Sequence, residues 1–362
     1  MNGYLGVDVG SVSTNIAVVD DENKVIASLY IRTNGRPIQA VQEGMRTIAG
    51  ELPPGITIRG AGTTGSARQL TGVIVGADVV KNEITAHAVA ALHIVPDVQT
   101  VLEIGGQDSK IICLRDGVVT DFAMNTVCAA GTGSFLDHQA SRLNIPIEQF
   151  GELALQSKTP VRIAGRCGVF AESDMIHKQQ TGHKTEDIIA GLCEALVRNY
   201  LNNVAKGKEI VPPIVFQGGV AANVGIRAAF ERALKHPVTV PPYYGVMGAI
   251  GAALLAEEEA ARRNGVTNFR GFAVSDIQYE ASSFECKGCP NCCEVVEIRM
   301  EGEVMARWGD RCGKWANSVQ ASRGGRKGST GAGSGPAVVV HAGHSEQSGC
   351  GGGCAGQWAD AS

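Results

Sequence analysis

Glu103-Ile104-Gly105-Gly106-Gln107-Asp108-Ser109-Lys110 decides the fold, because it repeats in the second half of the chain what Asp8-Val9-Gly10-Ser11-Val12-Ser13-Thr14 does in the first. Each run ends an apolar strand, turns on glycine and carries an acid beside hydroxyl or amide side chains. Glycine lets a backbone approach phosphate closely, and the N–H groups and hydroxyls of such a turn donate to phosphate oxygens. In the first turn Gly10, Ser11, Ser13 and Thr14 form the phosphate-binding set. Asp8 is placed to hold Mg2+ through water, since magnesium takes carboxylate oxygen and keeps part of its hydration shell. In the second turn Gly105 and Gly106 fit against a γ-phosphate, with Lys110 in the same set, while Gln107 or Asp108 orients the attacking water or joins the Mg2+ shell. Phosphoryl transfer needs mostly positioning and charge stabilisation, so this small set is sufficient. A third run, Phe216-Gln217-Gly218-Gly219-Val220-Ala221-Ala222-Asn223, follows a strand and opens a helix, as an adenosine-binding turn would. Gly218, Gly219, Val220 and Asn223 are its contact residues.

Outward from these turns, the apolar patterning predicts strands at 4–9, 14–20 and 24–32, a helix at 37–49 and a strand at 56–62. The pattern restarts at Thr100, with strands at 101–104, 110–115 and 118–122. Helices at 134–143, 146–156 and 185–206 follow, then strand 213–217, helix 224–234, strand 238–240 and helix 247–263. An internal duplication of this kind predicts an α/β fold with nucleotide between two halves, 1–98 and 99–263, part of the last helix going with the first half. Residues 264–315 form a cysteine-rich extension. Residues 316–362, dominated by Gly, Ser and Ala, lack the apolar content to fold alone and are expected to be disordered.

With 362 residues, 44% hydrophobic and 19% charged, the chain has the composition of an ordinary globular protein with room for a large core. A net charge of −4 gives no reason to expect nucleic acid or an anionic membrane as partner. Met1 to Gly10 runs straight into a strand rather than a signal peptide, and the longest apolar stretch, 245–256, is too short and glycine-rich to span a bilayer. Eleven cysteines in such a chain point to metal or redox chemistry in a reducing cytoplasm.

Two of these cysteines stand out. Cys128 lies in Thr126-Val127-Cys128-Ala129-Ala130-Gly131-Thr132-Gly133-Ser134-Phe135, and Cys167 in Gly165-Arg166-Cys167-Gly168-Val169-Phe170. Each is closely followed by glycine at a predicted helix N-terminus, where free N–H groups and the helix dipole favour negative charge. Gly131, Thr132 and Gly133 also join the phosphate-binding set. Two thiolates fall short of the four that an iron–sulfur cluster usually takes, and a symmetric dimer would supply the rest. The competing reading, a small buried apolar residue, suits Cys113 and Cys193, set in a strand and a helix.

These residues resemble the activator ATPases of 2-hydroxyacyl-CoA dehydratases and the related ATPase subunits of benzoyl-CoA reductase, the BadF/BadG/BcrA/BcrD group. The resemblance is carried by Gly6-Val7-Asp8-Val9-Gly10-Ser11, Gly62-Thr63-Thr64-Gly65, Asn82-Glu83-Ile84-Thr85-Ala86-His87 and residues 103–110, 125–135, 166–172, 217–223 and 245–253. It implies the duplicated fold of actin, the acetate and sugar kinases and the heat-shock ATPases. It also implies a cytoplasmic homodimer with one [4Fe–4S] cluster bridging the subunits, held by Cys128 and Cys167 of each. ATP binding and hydrolysis would then swing the helices beside the cluster. One electron, received from a donor such as ferredoxin or flavodoxin, would pass at very low potential to a partner iron–sulfur dehydratase or reductase.

The extension departs from the short activators. Cys286-Lys287-Gly288-Cys289-Pro290-Asn291-Cys292-Cys293 and the later Cys312 give the spacing C-x2-C-x3-C-x18-C over Cys286, Cys289, Cys293 and Cys312, leaving Cys292 over. Four such thiolates suit zinc or a further iron–sulfur cluster. Similar segments occur in longer CoA-substrate-specific activases. The tail's His341-Ala342-Gly343-His344 and its Cys350 and Cys354 read as flexible chain, and His87 as packed near the nucleotide cleft. Two other functions share the same turns, a sugar or acyl kinase of this fold and a non-redox ATP-binding regulatory module.

Overall fold

A computed structural model describes residues 1–125 and 129–316. Cys128 and the expected disordered tail, from residue 317 with its histidines and cysteines, lie outside the described residues. β1 (Asn2–Val9) pairs antiparallel with β2 (Ser13–Asp20), and β2 with β3 (Val25–Arg32). On its other side β1 runs parallel to β4 (Thr57–Thr64), next to β5 (Val79–Val80), so the sheet order is β3-β2-β1-β4-β5. β6 (Thr100–Ile104), β7 (Ser109–Arg115), β8 (Val118–Asn125), β9 (Ile214–Gln217) and β10 (Val238–Thr239) repeat the plan in the order β10-β9-β6-β7-β8. β6 takes the place of β1, antiparallel to β7 and parallel to β9. Both central strands are buried along most of their length, which is why they read as unbroken apolar runs.

The helices fill the layers around these sheets. α1 (Pro37–Glu51) opens on proline, whose fixed φ suits the first helical position, and packs with α2 (Arg68–Val75) on the first sheet. α3 (Glu83–Ile94) is capped by Asn82, whose side chain accepts from Thr85 N at 2.9 Å. α4 (Gly133–Leu143), α5 (Ile147–Leu155), α6 (Gly168–Gln180), α7 (Thr185–Asn203) and α8 (Val224–Leu234) cover the second sheet. α9 (Met247–Arg262) returns to the first sheet, lying so close that a Cβ on Gly6 or Gly62 would strike the backbone of Ala249 or Ala252. α3 and α9 share a middle core with Val101, Ile112 and Val215 of the second sheet, so these helices lie between the two lobes. Among the described residues no helix is long and apolar enough to cross a membrane.

Beyond α9 the chain forms a third sheet, β11 (Tyr279–Glu285), β12 (Glu294–Met300) and β13 (Glu303–Trp308), all antiparallel. It rests on the first lobe through Ile298, buried in the same core as Met45 and Ile74. Gln42 donates to Ile277 O at 2.7 Å and Arg46 to Ser275 O at 3.2 Å, tying α1 to the approach of this sheet.

Candidate functional site

Three turns meet at the mouth between the lobes. In the first, Gly10 N–H donates to Ser13 O at 2.9 Å, and Thr33 Oγ1 donates to Gly10 O at 3.0 Å. Thr14 is fully buried and pairs with the Thr33 hydroxyl at 3.0 Å, so it braces the turn from behind rather than lining the cleft. In the second, Gly105 N–H donates to Asp108 O at 2.9 Å, and Gly106 lies directly against Val12 of the first turn. In the third, Gly218 has φ +89°, a region that strains any other residue, and a Cβ there would strike Ile104 O and the Glu103 carboxylate.

A charge cluster sits beneath the first two turns. Lys110 is 2% exposed, and its Nζ lies 2.8 Å from Glu83 Oε2, 3.0 Å from Glu103 Oε2 and 2.9 Å from Asp108 Oδ2. Burial opposes its charge, but Glu103, Glu83 and Asp108 hold the ammonium well above the usual lysine range. Burial and the neighbouring Glu83 push the Asp8 carboxyl up to about 7. Glu103 is pushed up to about 7 as well, by burial that Lys110 only partly offsets. Burial works against the Glu83 carboxylate too, yet Lys110 holds it below its ordinary value. Asp8, Glu83, Glu103 and Asp108 around one ammonium leave negative charge in excess beneath the turns. His87 is buried beside them, its imidazole driven down to about 3 by burial and then by Lys110. It therefore stays neutral, with Nδ1 2.8 Å from Gln217 Nε2 across the lobes.

These groups line a small cavity of ≈ 90 Å3 that holds Asp8, Gly10, Ser11, Ser13, Gly105, Gly106, Gln107 and Asp108. It opens, through Val12, Tyr30, Gly219 and Tyr244, into a larger one of ≈ 550 Å3. That volume falls within the range of small-molecule sites. Val220, Asn223 and Gly133 line the larger cavity, and Gly218 the smaller. Gln107 is exposed at the mouth, whereas Asp108 is tied to Lys110. Gly131 and Thr132 stand back from both cavities: Thr132 is fully buried at the N-cap of α4, and Gly131 is backed by Asn199.

The second turn also touches the cysteine-bearing segments. Gly133 and Ser134, the first residues of α4, donate their amides to Gly105 O and Gly106 O at 2.9 and 2.8 Å. Asn199 of α7 donates to Gly165 O at 2.6 Å, and its other side lies against Gly131. Cys167 is the half-buried N-cap residue of α6, and a Cβ on the following Gly168 would lie 3.7 Å from Phe135 and 3.9 Å from Ala130. Val169 and Phe170 beside it are 71% and 66% exposed. Cys113 and Cys193 are buried, and burial pushes both thiols up. Among the described residues no group of three or more His, Cys, Asp or Glu side chains is already gathered as a metal cage, at Cys286 to Cys312 or elsewhere. The sequence reading gave no role to Glu83, Glu103, Tyr30 or Tyr244, and the nearest signal was the Asn82-Glu83 run carried by the resemblance.

The profile of the BadF/BadG/BcrA/BcrD ATPase family matches residues 5–256. The (R)-2-hydroxyglutaryl-CoA dehydratase activating ATPase of Acidaminococcus fermentans is 36% identical over 265 residues, 71% of this chain and 98% of that one. The 2-hydroxyisocaproyl-CoA dehydratase activator of Clostridioides difficile is 32% identical over 71% of this chain and 95% of its own length. The solved structure of a Clostridium difficile activator of the 2-hydroxyisocaproyl-CoA dehydratase with bound ADPNP superposes with a TM-score of 0.67 at 31% identity, covering 74% of this chain and all of that one. The two matching sheets, with helices between and around them, are the duplicated actin-like ATPase fold. On the matched 252-residue span and these identities, the chain belongs to the BadF/BadG/BcrA/BcrD ATPase family.

Proposed function

We propose that the chain is an ATP-driven activator that passes single electrons to a partner iron–sulfur enzyme of the 2-hydroxyacyl-CoA dehydratase or benzoyl-CoA reductase type. The observation that carries this reading is the hydrogen-bonded junction between the phosphate turn Gly105-Gly106 and the first amides of α4. A displacement of that turn on nucleotide exchange reaches α4 directly, and Asn199 couples it to the segment that presents Cys167. Close-packed interiors transmit such shifts rather than absorb them.

In this reading Asp8 holds Mg2+, which its buried oxygen donors and the surplus negative charge around it suit. Gly10, Ser11, Ser13, Gly105 and Gly106 receive the phosphates, with Lys110 holding the second turn from beneath. Gln107 orients the attacking water at the mouth, and Asp108 joins the Mg2+ shell while tied to Lys110. Gly218, Gly219, Val220 and Asn223 border the adenosine end. Cys128 and Cys167 of two copies would hold one [4Fe–4S] cluster, which when bound supplies a single low-potential electron, received from a ferredoxin or flavodoxin. Cys167 fits this use: it is only half-buried, at the N-cap of α6. Val169 and Phe170 form the apolar surface that the second copy covers. Residues 1–98 and 99–263 are then the two ATPase arms and 264–315 an appended module.

Anaerobic purification with counted iron and sulfide, light scattering for mass, and EPR after reduction test the proposal. About four irons per dimer, lost in Cys167→Ser, is the expected result. A chain that stays monomeric and takes up no iron after attempted reconstitution refutes it.

A further inference from the structure

Among the described residues, Cys286, Cys289, Cys292, Cys293 and Cys312 lie at one end of the third sheet, beyond the region that the family shares. β11 and β12 pair from Tyr279↔Met300 to Glu285↔Glu294, so residues 286–293 are the tip of a hairpin. β12 and β13 pair from Met300↔Glu303 to Val296↔Trp308, which brings the end of β13 to the same edge. There Gly309, at φ +104°, lies directly against Glu294 O. Three residues on comes Cys312, and then Trp315, which packs edge-on against Phe284 with ring centroids 4.9 Å apart. Cys312 is thus carried between two anchors that both touch the hairpin.

The tip itself is built around sulfur. Cys286 N–H donates to Cys293 O at 2.8 Å, closing the loop, and Cys292 N–H donates to Cys289 O at 3.3 Å. Gly288 follows closely on the first sulfur: a Cβ there would lie 3.4 Å from Cys286 Sγ. Cys292 is the exception. Its backbone is left-handed, at φ +43°, and its Sγ turns toward Cys289 O at 3.8 Å.

We propose that Cys286, Cys289, Cys293 and Cys312 bind one structural Zn2+ per chain, with Cys292 outside the site. Cys289 and Cys312 are exposed, Cys293 is half-buried and Cys286 is buried. A closed tetrathiolate zinc site needs neither a dry cavity nor a redox role, and at Zn–S distances of about 2.3 Å it suits a turn this short. Its double negative charge is met by Lys287, Arg311 and Lys314, all exposed around the tip. The sulfurs are not yet gathered as a cage. The anchors bring the two segments to one edge, and the ion draws the thiolates together, as structural zinc does in small modules that fold on binding. Its effect is to clamp residues 309–316 onto the hairpin.

The test uses the full chain carrying Cys128→Ser and Cys167→Ser, so that iron at the other cysteine pair cannot contribute. Metal analysis should find about one zinc per chain at four-thiolate ligation. Cobalt(II) added to the stripped protein should give the intense absorption of a tetrahedral thiolate site. Cys312→Ser should weaken zinc binding by at least about tenfold and cut the cobalt intensity, while Cys292→Ser leaves both unchanged. Three outcomes overturn the proposal: iron with sulfide in place of zinc, no cobalt spectrum from soluble protein, or loss of binding in Cys292→Ser. If Cys286→Ser and Cys289→Ser chains do not fold, the Cys312→Ser and Cys292→Ser pair still decides.

Discussion

Replacing Lys110 with methionine removes the ammonium that pairs with Glu83, Glu103 and Asp108. Asp108 is 40% exposed and regains water, so its share of the loss is small. Glu103 and Glu83 are 5% and 18% exposed and cannot. Removing one partner of a buried ion pair costs about 3–5 kcal/mol, because a charge is left without compensation. The loss must depend on pH. With Lys110 present the Glu103 carboxyl is already pushed up to about 7, and without it the carboxyl rises further. A folded-state value above the unfolded one means that stability is greatest below the unfolded value and falls as pH rises through the folded one. The deficit of Lys110→Met relative to wild type should therefore be larger at about pH 8 than at about pH 6, shrinking by up to about 1.4 kcal/mol per unit on acidification. Urea unfolding of the nucleotide-free proteins at these pH values measures it, and Lys110→Met/Glu103→Gln should recover much of the loss. An equal deficit at both pH values, or one below about 1 kcal/mol, would refute the reasoning.

Other consequences are as specific. Gly218→Ala must adopt φ +89° against Ile104 O, at a cost of about 1–3 kcal/mol, and should weaken ATP binding in a titration. With the Asp8 carboxyl at about 7, Mg2+–nucleotide must displace a proton below that pH. Binding should tighten as pH rises to about 7 and then level off, with proton release in calorimetry across two buffers; a flat profile counts against Asp8 as the Mg2+ group. Asp78, 1% exposed, accepts from Ala61 N, Arg263, Thr267 and Asn268 N at 2.6 to 2.9 Å. Asp78→Ala should cost at least about 3 kcal/mol and expose the chain after 263 to protease first, since it orphans these donors; unchanged cleavage would discount the anchor.

Much of the ATPase core was legible because local rules and tertiary needs agree there. Strands β1, β6 and β9 are apolar since they are buried on both faces, and the turns after β6 and β9 each hold a glycine with a steric reason to be glycine, Gly106 against Val12 and Gly218 against Ile104. The charge cluster was not legible. Glu83 has a complete local explanation as a first-turn acid of α3, and Lys110 looks like a polar interruption of β7, so nothing near either points to the other. Thr14 read as a phosphate ligand because hydroxyls near a glycine turn usually face outward, but alternation along β2 sends it inward to Thr33. The third sheet escaped because Glu280, Glu285, Glu294, Glu297 and Arg299 break its apolar rhythm, and α2 is short.

The docking of the third sheet onto α1 gives the molecule a property of a pair of calipers. The hairpin tip is fixed to one jaw, through Gln42, Arg46 and Ile298, while Cys167 is fixed to the other, through α6 and α7. Any rotation of one jaw against the other changes the separation of two natural sulfur positions. Spin or fluorescent labels at Cys292 and at a cysteine introduced at exposed Gln180 of α6 would read the motion through a hydrolytic cycle and leave Cys167 unmodified.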